Sequence, residues 1–337
     1  MQQDKIDFLA IGDVFIDTFI ELEDAQVHCN IDNENCTISM NWGDKVPYKS
    51  ATAVVGVGNA GNAAVAASRL GMPAGILAIT GNDDDGQKIS KHFDAEKVSR
   101  LFMKQQDGVP SNNAYVLKFG PERTILVKQE EYPYAVPLDL LKAHKPAWIY
   151  FTSIAHNTLQ FHHDLAAWVK SNPDVKMAFQ PGTFQMQLGA AELKDVYEAS
   201  YAFFCNKEEA QRILNKPTAD FPELHAGIRA LGPKVIVITD GPKGLTASGE
   251  DGQGYFLPMY PDPKPPVSRT GAGDATSSTI CVALHLGLSL PEAILWGPIN
   301  SMSVVQFVGA QGGLLSKDKI LEYLKNAPEN YKPTKIF

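Results

Sequence analysis

Thr270-Gly271-Ala272-Gly273-Asp274, followed at once by Ala275-Thr276-Ser277-Ser278-Thr279-Ile280, is the stretch on which the reading of this chain turns. Two glycines flank an alanine, so the backbone can turn sharply and bring its N–H groups close to a ligand. Small residues follow Asp274, then apolar Ile280, Val282, Ala283 and Leu284, and Gly287 closes the run. The pattern predicts a helix that starts near Asp274 and stops before Gly287. The unpaired N–H groups and the dipole at its start make an anion site. A carboxylate beside an anion site suits phosphoryl transfer. Amides hold the charge spread over the transferring group, and the carboxylate takes the proton of the attacking hydroxyl. The competing reading is an ordinary glycine-rich loop with a carboxylate cap. The surrounding chain decides between the two.

Immediately upstream, the chain alternates short apolar runs with helical stretches. Trp148-Ile149-Tyr150-Phe151, Lys176-Met177-Ala178-Phe179, Ala202-Phe203-Phe204-Cys205 and Val235-Ile236-Val237-Ile238 are the runs. They predict a doubly wound, mostly parallel sheet flanked by helices. Right-handed crossovers place successive strand ends on one edge. Gln180-Pro181-Gly182, Asn206-Lys207-Glu208-Glu209 and Thr239-Asp240-Gly241-Pro242-Lys243-Gly244 follow those runs. Downstream, helices are expected from about residue 291 to 308 and from 317 to 325. At the start of the chain, Phe8-Leu9-Ala10-Ile11 reads as another buried parallel strand, with Asp13 and Asp17 just past its end. Ligand crevices of open α/β sheets lie at such ends.

Two patches break the βα alternation. From 19 to 53, apolar residues including Ile20, Leu22, Val27, Ile38, Met40, Trp42 and Val46 mix with polar ones around the turn Asp32-Asn33-Glu34-Asn35. From 111 to 130, Asn113–Phe119 and Arg123–Val127 flank Gly120-Pro121, a hairpin signature. Together they predict a small accessory β-hairpin sheet, inserted in a single domain spanning 1–337. Such a sheet can shield a reaction from water as a lid, and it can equally form a homodimer surface.

Composition narrows the classes further. The chain has 337 residues, 44% of them hydrophobic and 20% charged, which excludes wholesale disorder. A net charge of −8 argues against a broad nucleic-acid or membrane surface. No apolar run is long enough to span a bilayer. Cys29, Cys36, Cys205 and Cys281 form no C-x-x-C pair or zinc spacing; Cys29 and Cys36 could face each other across a hairpin, but buried free thiols are the default expectation. The start of the chain lacks a basic stretch followed by an apolar one, so a cytoplasmic location is expected.

Gly56-Val57-Gly58-Asn59-Ala60-Gly61 spells a dinucleotide fingerprint. A nicotinamide-dependent oxidoreductase built on Gly56 to Gly61 is therefore a competing class. The fingerprint, however, belongs directly after the first strand, and here the first hairpin patch intervenes. Gly81-Asn82-Asp83-Asp84-Asp85-Gly86-Gln87-Lys88 falls short of a P-loop, because Gln87 displaces the lysine and no Ser or Thr directly follows it.

In their order and spacing these motifs resemble the ribokinase-like carbohydrate kinases, the PfkB family, from Ile11 to about Leu315. Gly12 to Asp17 matches the family's early G-x-x-x-x-D, which implies that Asp17 binds substrate. Gly58-Asn59-Ala60-Gly61-Asn62, opening a helix that ends before Gly71, matches the first signature. It implies that Gly58, Asn59 and Asn62 lie at the sugar. Asn206 to Glu209 matches N-x-x-E, which implies a magnesium ion held by Glu209 through water. Thr239, Gly241 and Gly244 match T-x-G-x-x-G, which with Asn206 implies the ATP site. Gly271-Ala272-Gly273-Asp274 matches the second signature, with Asp274 as base and the preceding amides as anion hole. The resemblance implies ATP-dependent phosphorylation of an alcohol group on a sugar, a nucleoside or a phosphosugar. The phosphosugar needs a basic cluster, for which Lys45, Arg123 and Lys128 are candidates. Two departures stand out. Ser268 occupies the place of the aspartate that opens the second signature, with Arg269 next to it, which predicts little dependence on a monovalent cation. Gln180-Pro181-Gly182-Thr183-Phe184 replaces the family's D-x-N or N-P segment.

Overall fold

A four-residue run with no polar position can only be stable if both of its faces are covered. In the computed structural model, which describes residues 5–28, 36–119 and 122–337, Phe8–Ile11 is such a strand. Phe8 and Ala10 point into one apolar core, Leu9 and Ile11 into the other, and all four are fully buried. Trp148–Phe151 alternates in the same way, with Trp148 and Tyr150 on one side and Ile149 and Phe151 on the other. Burying each of the larger aliphatic and phenyl side chains contributes roughly 1.5–3 kcal/mol.

These strands belong to a nine-stranded sheet. In spatial order it runs Thr334–Lys335, Gly254–Leu257, Leu245–Ser248, Val235–Thr239, Ala202–Asn206, Lys176–Phe179, Trp148–Phe151, Phe8–Ile11 and Ala74–Leu77. The strands from Val235–Thr239 to Ala74–Leu77 are parallel, and the other three are antiparallel. This is the mostly parallel α/β architecture that the alternation predicts. Parallel register brings Gly12, Thr152, Gln180, Asn206 and Thr239 to one edge of the sheet.

Two helices build the same edge from one face. Asn59–Arg69 presents Ala60, Ala63, Ala64, Ala66 and Ala67 as a small buried surface, which lets it lie close to its neighbours. Ala272–His285 is buried for most of its length. It crosses Leu290–Val304 at Gly297, where an added Cβ would come within 2.9 Å of Thr276 Cγ2. On the opposite face lie Leu159–Lys170, Lys194–Ala199 and Phe221–Leu231.

The two irregular patches form a separate four-stranded sheet, in the order Glu122–Lys128, Asn113–Phe119, Phe15–Leu22 and Tyr48–Val57. Its first strand begins at Phe15, so Asp17 sits within a strand rather than in a loop after Phe8–Ile11. The turns at 32–35 and at 120–121 lie outside the described residues. Gln26–His28 pairs with Thr37–Ser39 as a small antiparallel ribbon. The run from 75 to 80 divides into Ala74–Leu77 in the large sheet and Ile79–Gly81, which pairs with Lys104–Gln106. One expectation fails: Cys36 is disulfide-bonded rather than free. Cys205 and Cys281 are free and buried, and Cys29 lies outside the described residues. No helix among the described residues is long and apolar enough to cross a membrane.

Candidate active site

The helix Ala272–His285 starts where Gly271 adopts a left-handed conformation, φ +81°. A Cβ at Gly271 would stand 2.3 Å from Ala310 Cβ and 2.7 Å from Ala310 Cα, so only glycine allows this close approach. Asp274 falls in the first turn and is 7% exposed. Its carboxylate has no cation paired with it among the described residues. Instead it accepts three neutral amide hydrogen bonds. Asn59 Nδ2 and Gln180 Nε2 donate to Oδ1 at 3.0 and 2.9 Å, and Asn62 Nδ2 donates to Oδ2 at 2.8 Å. Burial raises the pKa of Asp274 above its ordinary value, and the three amides oppose that rise. A carboxylate oxygen has two lone pairs. Those of Oδ1 are both engaged, whereas Oδ2 keeps one for a proton.

The amides are themselves oriented from behind. Gln311 Nε2 donates to Asn62 Oδ1 at 3.1 Å and to the Gly56 carbonyl at 2.8 Å, so Asn62 must turn its N–H toward Asp274. The Gln311 backbone is in turn held by Arg69 Nη1 at 2.7 Å, while the same guanidinium makes a bidentate pair with Glu96. Gln180 Oε1 accepts from Tyr150 and Ser277, which turns its amide the same way.

Beyond Gly273 lies a cavity of about 110 Å³ lined by Gln180, Asn206, Glu209, Thr239, Gly273, Thr276 and Ser277, with Phe204, Cys205 and Val237 at its base. Four residues singled out from sequence, Asn206, Glu209, Thr239 and Gly273, therefore meet around one space. A Cβ at Gly273 would meet no atom within 4 Å. Asn206 and Glu209 form a reciprocal cap on the helix Lys207–Ile213. Asn206 Oδ1 accepts from the Glu209 backbone N–H, and Glu209 Oε2 accepts from the Asn206 N–H, both at 2.8 Å. Burial raises the pKa of Glu209, with the Asp274 charge adding a smaller push in the same direction. No group of three or more His, Cys, Asp or Glu side chains among the described residues is placed to hold a metal ion. A divalent cation here would keep most of its water, as magnesium does.

The other expected residues fall around this centre. Gly58 caps the helix Asn59–Arg69 at φ +97°, where a Cβ would stand 2.6 Å from the Asp13 carbonyl oxygen. Gly241 and Gly244 shape the turn after Val235–Thr239 but do not line the cavity. The Asp17 carboxylate has no hydrogen-bond partner among the described residues. Its cross-strand neighbours are Val54 and Ala114, and burial pushes its carboxyl up to about 6. Ser268 Oγ accepts from the Thr270 N–H at 3.2 Å and so helps to turn the loop. The Gly56-to-Gly61 run is packed against protein. A Cβ at Gly61 would stand 2.2 Å from the Gly56 carbonyl oxygen, and one at Gly56 2.6 Å from the His92 ring. Its glycines serve helix docking and leave no cradle for a pyrophosphate.

Asp13 is the residue that sequence reasoning undervalued. It is 1% exposed, accepts from Gln129 Nε2 at 2.5 Å and Tyr134 Oη at 2.7 Å, and burial pushes its carboxyl up to about 6. It thereby ties the large sheet to the segment that follows Glu122–Lys128. Its position at a parallel strand end was the available signal.

Known proteins resemble this chain over most of its length. The description "pfkB family carbohydrate kinase" matches residues 28–317. A ribokinase of Bacillus subtilis is 26% identical over 270 residues, covering 79% of this chain and 87% of that protein. A 5-dehydro-2-deoxygluconokinase of Bacillus thuringiensis is 24% identical over 298 residues, covering 83% and 89%. The structure of an Arabidopsis thaliana ribokinase complexed with ribose and ATP superposes with a TM-score of 0.78 at 18% identity, covering 95% of this chain and 99% of that one.

Proposed function

The chain belongs to the pfkB family of carbohydrate kinases, and from that premise we propose that it moves the terminal phosphoryl group of ATP to an alcohol group of an uncharged sugar or sugar-like acceptor. The observation that carries this reading is the open lone pair on Asp274 Oδ2. It lies in the first turn of a helix whose Gly273 faces a polar cavity. Asp274 takes the acceptor's hydroxyl proton at Oδ2. The amides of Gly271, Ala272 and Gly273 face the charge that grows on the transferring group. Thr239, Gly241, Gly244 and Asn206 lie along the nucleotide. The cavity suits phosphates, because it combines a helix start, a glycine without a Cβ and neutral polar side chains. The Arabidopsis relative's complex with ATP supports this choice of donor. Magnesium, when bound, neutralises charge on the phosphate oxygens, and Glu209 would hold it through water. Asp17 receives acceptor hydroxyls, and the four-stranded sheet serves as the lid that excludes water.

The same geometry argues against a phosphosugar. Lys128 ion-pairs with Glu130 at 3.0 Å, and Lys45 is exposed. Arg123 lies opposite Lys118, four residues along its strand from Val127, which is level with Asp17. That offset is about 13 Å. Among the described residues, none of Lys45, Arg123 and Lys128 joins a basic cluster at Asp17, which favours neutral sugars and nucleosides as acceptors. The test is ADP formation across free sugars, nucleosides, sugar acids and sugar phosphates. The highest kcat/KM is expected with an uncharged acceptor. A sugar phosphate or sugar acid as best acceptor contradicts the assignment. Stabilisation by NAD without any by ATP and magnesium contradicts the kinase reading itself.

A further inference from the structure

We propose that Gln180 is a positioning residue for phosphoryl transfer: its amide N–H occupies Asp274 Oδ1 and leaves Oδ2 as the oxygen that meets the acceptor. The proposal rests on the reading of Asp274 as the base. Gln180 follows the strand Lys176–Phe179 and its backbone is fixed on both sides. Its N–H donates to the Phe151 carbonyl at 3.0 Å, and its own carbonyl accepts from Thr152 Oγ1 at 2.8 Å. The side chain is fixed as well. Oε1 accepts from the Tyr150 hydroxyl and from Ser277 Oγ, the latter at 2.5 Å, and Nε2 stands 2.9 Å from Asp274 Oδ1.

Only one orientation of the amide satisfies this set. An ionised Asp274 has no proton to give, so it must face the N–H end. Tyr150 keeps its proton, because burial and the neighbouring Asp274 charge hold its hydroxyl well above the usual range, and it therefore remains a donor to Oε1. Ser277 lies three residues after Asp274 on the same helix and also contacts the Gly273 carbonyl at 2.8 Å. Gln180 thus couples the helix start to the strand edge through a single planar group.

The choice of glutamine has a chemical reason. At this position the chain places a neutral donor. A carboxylate at that distance from a buried Asp274 would share its proton with it and block the base. The titratable groups that face Asp274 are Tyr150, from the strand Trp148–Phe151, and Glu209, from the helix Lys207–Ile213. The helix Asn59–Arg69 contributes only the neutral amides of Asn59 and Asn62. Gln180 is therefore the position at which one nearly isosteric change adds a competing acid in contact with the base.

The experiment compares kcat against pH for wild type, Gln180→Glu, Gln180→Met and Asp274→Asn. Gln180→Glu is expected to move the acid limb of kcat upward by at least one pH unit. Its turnover at neutral pH should fall at least fivefold and recover toward pH 9. The KM for ATP should rise by less than kcat falls, although the new carboxylate also borders the cavity assigned to the phosphates. Gln180→Met keeps the size but removes the N–H, and it is expected to lower kcat about tenfold with the KM for ATP unchanged. It also provides the test if Gln180→Glu does not fold. A merely structural role would lower the melting temperature and leave the pH limb in place. An unshifted limb in Gln180→Glu, or wild-type kcat in Gln180→Met, with Asp274→Asn inactive, overturns the role of Gln180 alone. An active Asp274→Asn overturns the base assignment on which it rests.

Discussion

Gly273→Ala separates stability from activity. In the free protein a Cβ at Gly273 meets no atom within 4 Å, and the residue sits in the first turn of a helix with ordinary backbone angles. Replacing glycine by alanine in such a place stabilises by roughly 0.5–1 kcal/mol, because the unfolded chain loses freedom. For a domain of this size that corresponds to a rise of roughly 1–3 °C in melting temperature. The new methyl, however, stands at the wall of the cavity beside Asp274. If the transferring phosphoryl group lies against the Gly273 amide, the methyl pushes it away and removes one donor. Losses of that kind cost about 10²–10³-fold in turnover. Gly271→Ala is the contrast. Its Cβ would collide with Ala310 at φ +81°, so it should destabilise by about 2–5 kcal/mol. Thermal unfolding and a coupled ADP assay on both variants read the two effects. Gly273→Ala that keeps kcat/KM for ATP within twofold of wild type refutes the placement of the phosphoryl group at this amide.

Four further outcomes follow from other parts of the protein. Asp17 must be ionised to accept two hydroxyl hydrogen bonds, and its carboxyl is raised to about 6. Acceptor affinity should therefore be complete above that pH and fall about tenfold per pH unit below it, seen as a rising acceptor KM. Asp17→Asn should abolish the dependence, and an unchanged acid limb in that variant counts against Asp17. Asp13 is shifted in the same direction, but the consequence for stability runs the other way. Its raised carboxyl binds protons in the folded state that the unfolded chain releases between about pH 4 and 6, so its ionisation lowers stability as pH rises through that window. Asp13→Asn should flatten the stability profile measured by urea unfolding there, and an identical profile contradicts it. Ser268 supplies one neutral oxygen, already used by the Thr270 N–H. Replacing potassium by a bulky organic cation at constant ionic strength should change turnover less than about threefold, or ~0.6 kcal/mol; a steep potassium dependence contradicts this. The accessory sheet exposes Tyr115 and its cross-strand partner Leu126, 46% and 54% exposed. Light scattering should find a dimer, which charged substitutions at both positions dissociate, whereas a monomer at all concentrations excludes it.

The large sheet was legible because its strands bury both faces. Leu9 and Ile11, like Ile149 and Phe151, leave no polar alternation to confuse with a surface strand. The second hairpin was legible from its period, with Arg123 opposite Lys118 and Val127 opposite Ala114 as the spacing requires. The anion-site helix was legible within a few residues, since glycines and small side chains announce close approach. The support of Asp274 was not. Gln311 reaches Asn62 across 249 positions of sequence and Gln180 reaches Asp274 across 94, and nothing local to either glutamine signals such a contact. Asp13 was obscured for a different reason. A carboxylate after a strand is usually solvated, and only tertiary packing brings Tyr134 and Gln129 onto it.

Phosphoryl transfer with Asp274 as base is the central claim, and Asp274→Asn tests it most directly. The variant keeps the size and the neutrality of the surrounding amides but cannot take a proton. Turnover with the best uncharged acceptor should fall at least ~10²-fold while the Kd for ATP, measured by calorimetry, stays within a few-fold of wild type. An Asp274→Asn enzyme that turns over near the wild-type rate contradicts the account.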